Sequence, residues 1–509
     1  MSRQSPLDLA PADFRRLGHR LVDDLADFLN TLPSRPVSPG ATPTELRATL
    51  GSRTLPETGA DPEALLAEAT RLLLAHSVFN GHPRFMGYIT SSAAPLGSLA
   101  ELLAATVNPN CGSWGLSPMA TLIEEQTVAW IGELVGAPKG SGGLLVSGGN
   151  MANMVGFWAA RTAKASWAAR QHGLAAPGAA KLVAYCSAET HTWIQKAADL
   201  SGLGTDAVRW IAVDGQRRLD VAALTRQIAT DRANGSTPFL VVGTAGSVST
   251  GAVDPLRALA ALCKAEDIWF HVDGAYGAPA VVTAGAPDDL GAMSEADSIA
   301  VDPHKWLYAP LEAGCALVRD PALLRGAFAY TPAYYHFDSG DTAPPPNYYE
   351  YGPQNSRGFR ALKVWLALRQ VGRRGYEEMI GEDMRLSRAL FDLVAAHPEL
   401  EAVTQGLSIT TFRYVPPGTR RDDPATNDVL NPLNSRILDA LQQSGRAYVS
   451  NAMVDGRFLL RSCIVNFRTS QPDLQELVDA VVEIGRELHN HEGAKGHHQP
   501  DPTRSTRST

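Results

Sequence analysis

The stretch from Ser298 to Trp306 has the sequence SIAVDPHKW, and the interpretation of the whole chain depends on it. Its first four residues form a short apolar run that predicts the end of a buried strand. Lys305 follows closely, between His304 and Trp306, where a lysine side chain loses hydration. Desolvation lowers the pKa of a lysine, and the resulting free amine can form a Schiff base with an aldehyde. The alternative is a lysine whose stem packs under Trp306 while its ammonium group reaches water.

A second stretch, DIWFHVDGAYG, begins at Asp267 and could complete such a site. Its apolar centre, 268–272, predicts a strand buried on both faces, and Asp273 ends that strand. Open α/β sheets bind ligands beyond the carboxyl ends of their strands. A carboxylate there could face the ring nitrogen of pyridoxal phosphate, whose protonated ring acts as an electron sink. The alternative is an aspartate that caps the N-terminus of a helix.

Together, the strings HVDGAY (271–276) and DPHKW (302–306) resemble the group II pyridoxal-phosphate decarboxylases. This family acts on aromatic amino acids, histidine, glutamate and diaminobutyrate. The similarity extends from about His82 to about Arg468. It implies an α/β protein with the type I aminotransferase fold, in which helices flank a mostly parallel sheet and a small α+β domain follows. It also implies that Lys305 binds the pyridoxal 5'-phosphate and that Asp273 faces its ring nitrogen.

Two glycines follow a predicted strand that ends at Val146. Gly148 and Gly149 precede a predicted helix, and such a turn can bind a phosphate through backbone amides and the helix dipole. By itself the pattern is weak, because it lacks the lysine of a P-loop and the third glycine of a dinucleotide fingerprint. The resemblance implies that Gly148, Gly149 and Asn150 hold the phosphate of the cofactor.

His191 follows another predicted strand, 181–186. Its ring could stack on a pyridine ring, and its edge could contact a substrate carboxylate. Taken alone, it would be interpreted as a histidine near solvent at the start of a helix. The resemblance implies that His191 is the histidine that stacks on the cofactor. The other cofactor-binding residues that the resemblance implies are Ser247, Ala275, Asp302 and His304.

The catalytic tyrosine that the resemblance implies is Tyr334, in a stretch ending near Asn347 that predicts a mobile lid. A tyrosine there could protonate the carbanion left when carbon dioxide departs. Taken alone, it would be interpreted as a surface tyrosine that packs a loop. Family members that make aldehydes often have phenylalanine at this position, so Tyr334 favours simple decarboxylation to an amine. The presence of Lys305, Asp273 and His191 argues against a catalytically silent homologue that acts as a binding protein.

Three residues are predicted to bind the substrate, and they are Tyr88, Ser91 and Ser356. The resemblance implies that serine at position 356 goes with phenolic or imidazole rings, whereas a structural alternative is a helix N-cap. An aromatic L-amino acid similar to tyrosine, phenylalanine or tryptophan is therefore the predicted substrate. Ile89 and Asn110 differ from the aromatic-amino-acid enzymes, which leaves a glutamate-like or diaminobutyrate-like substrate as an alternative. A second alternative concerns the reaction, which could couple decarboxylation to oxidative deamination and give an aldehyde.

Composition excludes several classes of function. The chain has 509 residues and a net charge of −8, without a long basic run, so nothing favours nucleic acid or an anionic membrane. Its five cysteines are scattered without metal-ligand spacing, which predicts reduced thiols, a cytoplasmic location and no metal site. The N-terminus does not resemble a signal peptide, and no apolar run is long enough to span a membrane.

Helical spacing predicts amphipathic helices over 7–31 and about 61–75, joined by an extended, proline-rich crossing, and a long amphipathic helix that starts at Asn355. Apolar runs predict a buried strand that starts at Phe239 and strands near 408–414 and 458–466. The resemblance implies that the N-terminal segment clasps a second subunit, giving a homodimer with its active site at the subunit interface. The predicted units are an N-terminal segment (1–80), a large cofactor domain (81–372), a small C-terminal domain (373–489) and a disordered tail (490–509).

Overall fold

Eleven strands form two sheets in the computed structural model, which describes residues 5–51, 54–330, 346–421 and 423–496. The strands are β1 (Gly142–Val146), β2 (Lys181–Ser187), β3 (Val208–Ile211), β4 (Ser236–Thr244), β5 (Trp269–Asp273), β6 (Ser298–Val301), β7 (Gly314–Val318), β8 (Leu400–Gly406), β9 (Ile409–Tyr414), β10 (Ser450–Val454) and β11 (Arg457–Cys463).

The larger sheet has seven strands in the order β1-β7-β6-β5-β4-β2-β3. The run from β6 to β3 is parallel, whereas β7 is antiparallel to both of its neighbours. Every residue of β5, β6 and β7 is buried, as expected for strands covered on both faces. Alternate residues enter two different cores, because Leu240 and Val242 pack on one face and Val241 packs on the other. This mostly parallel sheet confirms the predicted fold class.

The described residues also contain fourteen α-helices. They are α1 (Pro11–Thr31), α2 (Pro43–Leu50), α3 (Pro62–His76), α4 (Pro95–Val107), α5 (Pro118–Leu134), α6 (Gly149–Lys164), α7 (Ala169–His172), α8 (Trp193–Leu200), α9 (Val221–Ala233), α10 (Leu256–Ala265), α11 (Ala322–Phe328), α12 (Ala361–Ala396), α13 (Asn427–Ser444) and α14 (Gln471–Gly496).

Proline starts each of the first five helices, where its missing N–H costs no helical hydrogen bond. Helices α1 and α3 confirm the two predicted N-terminal helices, but α2 was missed because its first residue, Pro43, was assigned to the extended crossing. A capping box stabilises α2, since the side chains and backbones of Thr42 and Glu45 bond reciprocally.

The smaller sheet is antiparallel, in the order β10-β11-β9-β8, and it packs against α13, α14 and the second half of α12. Met86 belongs to this core, although it precedes the large sheet in the chain. Its N–H donates to the carbonyl of Tyr448, and its own carbonyl accepts from the N–H of Cys463, both at 2.8 Å. The segment around Met86 therefore connects the two halves of the molecule.

Helix α12 begins six residues later than Asn355, where the sequence predicted it, and it bends at Gly372. The φ angle of Gly372 is 65°, a left-handed conformation that glycine adopts readily. The predicted boundary between the large and small domains falls at this bend. Helix α14 continues to Gly496, beyond the predicted start of the tail at residue 490.

In the part of the chain that the structure describes, no helix is long and apolar enough to cross a membrane. All five cysteines are buried and unpaired. Burial raises the pKa of the Cys111 thiol to about 11, so this thiol stays protonated at neutral pH.

Candidate active site

The predicted cofactor residues lie at one edge of the seven-stranded sheet. Strands β2, β4, β5 and β6 are parallel and end at this edge, so the segments that follow them meet there. Asp273 is the last residue of β5, and Asp302 directly follows β6. His191 and Ser247 follow β2 and β4 after three and two further residues. The topology thus assembles one site from four separate parts of the chain.

Lys305 forms an ion pair in the turn after β6. Its Nζ lies 3.0 Å from Oδ2 of Asp302, with the lysine side chain 20% exposed and the aspartate side chain 3% exposed. The main-chain N–H of Lys305 donates to the carbonyl of Asp302 at 2.9 Å, which closes the turn. Trp306 instead stacks on Tyr276, with ring centroids 4.7 Å apart. The amine is therefore held by a carboxylate, and the alternative of a stem packed under Trp306 is not supported.

The glycine turn lies directly against this ion pair. A Cβ atom on Gly149 would lie 2.6 Å from Oδ2 of Asp302 and 3.2 Å from Cβ of Ala275. A Cβ atom on Gly148 would lie 3.4 Å from Cε1 of His304, and the φ angle of Gly148 is 120°. Position 149 therefore favours glycine because a Cβ atom has no space there, and position 148 favours glycine because of its positive φ angle. Asp302 faces the lysine and the glycine turn.

His304 is fixed from two sides. Its Nδ1 lies 2.6 Å from the carbonyl oxygen of Ala313, and its own carbonyl accepts a hydrogen bond from the Ser91 hydroxyl at 2.8 Å. Burial lowers the pKa of His304, which favours the neutral ring, and the main-chain N–H of Ala313 also lies 3.2 Å from Nδ1. Ser91, predicted to bind substrate, is thus next to the lysine turn.

Asp273 is buried, and both of its carboxylate oxygens accept hydrogen bonds. The indole N–H of Trp193 donates to Oδ2 at 2.8 Å, and the main-chain N–H of Ala275 donates to Oδ1 at 3.3 Å. The next helical turn begins at Ala278 with Gly277 at its N-cap. Asp273 is therefore not a helix cap, which was the structural alternative.

His191 lies close enough to Asp273 and Lys305 for both charges to affect its pKa. Desolvation lowers its pKa below the usual value, Asp273 opposes this shift, and Lys305 reinforces it. The ring is therefore neutral at pH 7. Its Nδ1 accepts a hydrogen bond from the main-chain N–H of Trp193 at 3.2 Å, so the proton of the neutral ring is on Nε2. An Nε2–H group can donate to a carboxylate.

Two predicted cofactor residues have no contact with the lysine turn that the structure records. Asn150 is exposed in the first turn of α6. The hydroxyl of Ser247 is buried and lies 2.9 Å from Oγ1 of Thr250 in its own turn. Ser247 and Asn150 therefore stay predictions that rest on the resemblance.

Two predicted substrate residues are at the surface of the chain. Tyr88 is 58% exposed, and its ring lies near that of Tyr448, with centroids 6.3 Å apart. Ser356 is exposed in the loop before α12. Because α12 begins at Ala361 with Arg360 at the N-cap, Ser356 is not a helix cap. Tyr334, the predicted catalytic tyrosine, lies outside the described residues.

Arg461 is a buried cation that the sequence analysis missed. This residue of β11 is 2% exposed, and its Nη1 donates to the carbonyl of Tyr88 at 3.2 Å and to Oγ of Ser450 at 2.8 Å. Its Nε and Nη2 atoms have no hydrogen-bond partner among the residues described. An arginine within the apolar string FLLRSC was the signal in the sequence, because burying an unpaired charge is costly.

The chemistry of this site fits pyridoxal phosphate. The N-terminus of α6 begins at the glycine turn, and no side chain of the described residues caps it, so its N–H groups are free for a phosphate. Oδ1 of Asp302 is buried, and within the described ranges it has no hydrogen-bond partner. A primary amine, a buried carboxylate at a strand end and an open helix N-terminus are the donor set that this cofactor requires.

Comparison with known proteins agrees with this assignment. Residues 43–415 match the family described as the pyridoxal-dependent decarboxylase conserved domain. The chain is 32% identical over 483 residues to an aromatic-L-amino-acid decarboxylase of Bacillus atrophaeus, covering 95% of this chain and 97% of that protein. It is 33% identical over 438 residues to an L-2,4-diaminobutyrate decarboxylase of Rhizobium meliloti, covering 86% of this chain and 85% of that protein.

A solved structure shares the whole architecture. The crystal structure of Oryza sativa TDC with PLP and tryptamine superposes with a TM-score of 0.87 at 26% identity, covering 96% of this chain and all of that one. The similarity thus includes both sheets and the segments that build the site. The chain belongs to the pyridoxal-dependent decarboxylases, and it is an amino acid decarboxylase that uses pyridoxal phosphate.

Proposed function

We propose that this enzyme converts an aromatic L-amino acid, similar to tyrosine, phenylalanine or tryptophan, into the corresponding amine and carbon dioxide. The observation that carries the proposal is the cluster at the sheet edge, where the amine of Lys305 pairs with Asp302 beside the glycine turn. Asp273 and His191 approach the same cluster from two other strands. The 32% identity to an aromatic-L-amino-acid decarboxylase supports the class of substrate.

In this proposal, each residue of the cluster binds one part of the cofactor. When bound, pyridoxal phosphate supplies a protonated ring that accepts the electron pair released as carbon dioxide leaves. Lys305 would hold the aldehyde carbon, and Asp273 would keep a proton on the ring nitrogen. Gly148 and Gly149, with the N-terminus of α6, would hold the phosphate. Ala275, Asn150, Ser247, Asp302 and His304 would complete the cofactor site.

Other residues would act on the substrate. His191 is neutral, and its Nε2–H group would orient the substrate carboxylate. Tyr334 would return a proton to Cα after carbon dioxide leaves. Ser91 and Tyr88 would contribute to the pocket wall, and Ser356 would hydrogen-bond a polar ring.

A diaminobutyrate-like substrate is the second candidate, because the 33% identical relative acts on diaminobutyrate. The purified holoenzyme should be incubated with each common L-amino acid and with L-2,4-diaminobutyrate while carbon dioxide release is measured. The proposal predicts turnover of tyrosine, phenylalanine or tryptophan. Release of carbon dioxide from diaminobutyrate or glutamate alone would contradict the aromatic assignment.

The same incubations determine the type of reaction. Decarboxylation gives one amine for each carbon dioxide, whereas the oxidative alternative consumes oxygen and gives an aldehyde, ammonia and hydrogen peroxide. Amine, aldehyde, ammonia and peroxide should therefore be quantified together. Tyr334 leads us to expect the amine, and a predominance of aldehyde would show that the proposed reaction is wrong.

We also infer that the enzyme is a homodimer. Helix α4 exposes four large apolar side chains at helical spacing on one face, and they are Leu99, Leu102, Leu103 and Val107. Each is at least half exposed in the single chain. A contiguous apolar face of this kind supports a protein–protein interface.

A further inference from the structure

Trp193 contacts two of the proposed active-site residues through two different groups. Its indole N–H donates to Oδ2 of Asp273 at 2.8 Å. Its main-chain N–H donates to Nδ1 of His191 at 3.2 Å. One residue at the start of α8 therefore fixes the carboxylate proposed to face the ring nitrogen and the imidazole proposed to stack on the ring.

Packing leaves the indole of Trp193 little freedom. The residue is 1% exposed. Its ring meets the rings of Phe157 and His271 edge to face, at interplanar angles of 85° and 74°. An indole N–H is a donor that cannot accept a hydrogen bond or titrate. It therefore directs the same hydrogen at Asp273 at every pH at which the protein is folded.

The hydrogen bonds to Asp273 restrict how its carboxylate can rotate. Trp193 holds Oδ2, and the N–H of Ala275 holds Oδ1. A carboxylate has about four lone-pair positions, so each oxygen keeps the capacity to accept one more hydrogen bond. A hydrogen-bond donor also stabilises negative charge on the oxygen that accepts it.

We propose that Trp193 is a positioning residue, whose indole N–H holds the Asp273 carboxylate in the orientation that faces the ring nitrogen of pyridoxal phosphate. This inference rests on the proposed role of Asp273. The effect of Trp193 must therefore pass through Asp273, and that dependence can be measured.

The test compares Trp193→Phe with wild type, Asp273→Asn and the double variant. The phenylalanine variant removes the indole N–H but keeps an aromatic ring and the main-chain N–H that bonds His191. The dissociation constant for pyridoxal phosphate is measured on the apoenzyme, and visible circular dichroism reports how the bound cofactor is held. Trp158→Phe is the matched control, since its indole N–H donates to Ser201 at 2.8 Å.

Trp193→Phe should weaken cofactor binding about tenfold, the order expected for loss of one hydrogen bond to a charged group. In the Asp273→Asn background, the same substitution should change the dissociation constant less than about twofold, because the two residues act as one unit. Trp158→Phe should leave binding and circular dichroism unchanged. If Trp193→Phe weakens binding equally in both backgrounds, Trp193 acts through packing alone and the inference is wrong.

A second variant covers the case in which phenylalanine leaves a cavity that unfolds the protein. Incorporating 3-benzothienylalanine at position 193 keeps the size and shape of the side chain but replaces the N–H with sulfur. It should reproduce the loss of cofactor affinity, and wild-type affinity would overturn the inference. If Asp273→Asn itself retains wild-type affinity and turnover, the proposed role of Asp273 fails, which is a different outcome.

Discussion

The surroundings of His191 set its protonation state and its tautomer before any ligand binds. Desolvation keeps the imidazole neutral, and the N–H of Trp193 leaves the proton on Nε2. Protonation would place a second hydrogen on Nδ1, opposite a donor, and would break that hydrogen bond. The orientation that Trp193 gives the ring therefore depends on the neutral form.

We predict that His191 causes an acid limb in the pH profile of kcat/KM. Because the pKa of His191 is lowered, this limb should lie below pH 6.5, with activity falling as pH falls. His191→Gln should reduce kcat/KM about 100-fold, as misorientation of a bound substrate does, and should remove the limb. A limb centred above pH 6.5, or one that persists in the variant, would count against this role.

At this scale, the sequence predicted residues that the structure brings together, but not how they are held. Lys305, Asp302 and the glycine turn were predicted and lie in contact. The donors that hold Asp273 and His191 come from Trp193, two positions beyond His191 in the chain. Such a contact depends on the relative position of β2 and β5, which no local pattern encodes.

At the scale of elements, a buried ion pair ties together the loops that carry the proposed substrate residues. Arg357, next to Ser356, pairs with Glu124 of α5, and both side chains are almost completely buried. Arg357 also donates to the carbonyl of Cys111 at 3.0 Å, and Glu124 accepts from the N–H of Leu145 at 2.9 Å. The pair thus links α5, β1 and two loops.

Glu124→Gln should destabilise the protein by roughly 3–5 kcal/mol, because it leaves the Arg357 charge buried without a counter-ion. The measurement is urea unfolding of the apoenzyme. Glu382→Gln is the control, since Glu382 and Arg385 form an exposed pair worth at most about 1 kcal/mol. An equal effect of the two substitutions would show that the buried pair does not stabilise these loops.

Asp383 connects the second half of α12 to the segment that follows Lys305. Its carboxyl group accepts hydrogen bonds from the indole of Trp306 at 2.9 Å and from the hydroxyl of Tyr308 at 2.7 Å. Burial raises the pKa of Asp383 to about 7, and the hydrogen bonds only partly oppose this shift. Between the usual pKa of an aspartate and 7, the folded protein therefore holds a proton that the unfolded chain has released.

The stability of the wild type relative to Asp383→Asn should consequently depend on pH. A raised carboxyl pKa contributes stability at low pH that is lost as pH rises through the folded value. The difference in free energy of unfolding should shrink by on the order of 4 kcal/mol as pH rises from about 4 to above 7. Urea titrations at a series of pH values measure it, and a difference that does not change with pH would contradict the assignment.

Element boundaries were predictable where local chemistry sets them. Helical spacing and apolar runs placed α1, α3, β4 and β5 within a few residues. Helix α12 starts later than its amphipathic pattern suggested, because Asn110 and Arg357 hold the preceding loop: Oδ1 of Asn110 accepts from the N–H of Arg357 at 3.2 Å. Strands β8 and β10 were not predicted, since only Leu400 is buried in β8 and every second residue of β10 is exposed.

At the scale of the whole molecule, the apolar face of α4 predicts how two chains associate. Replacing Leu102 and Leu103 by glutamate would place charges in a desolvated interface, which is unfavourable. Sedimentation equilibrium should give about twice the 54.3 kDa chain mass for the wild type and a large shift toward monomer for the double variant.

The exposed Leu200 at the end of α8 offers a control for that experiment, because it lies on a different helix and is 71% exposed. Leu200→Glu should leave the mass unchanged. A monomeric wild type, or a double variant that remains a dimer, would contradict the proposed interface. Loss of turnover in the monomeric variant would further support an active site at the subunit interface.

The most direct test of the central claim is to find the lysine that carries the cofactor. The holoenzyme should be reduced with sodium borohydride, digested and mapped by mass spectrometry. We predict that the pyridoxyl group is recovered on the peptide containing Lys305, and that Lys305→Gln abolishes both the label and turnover. Recovery of the label on another lysine, or full turnover by the variant, would contradict the account.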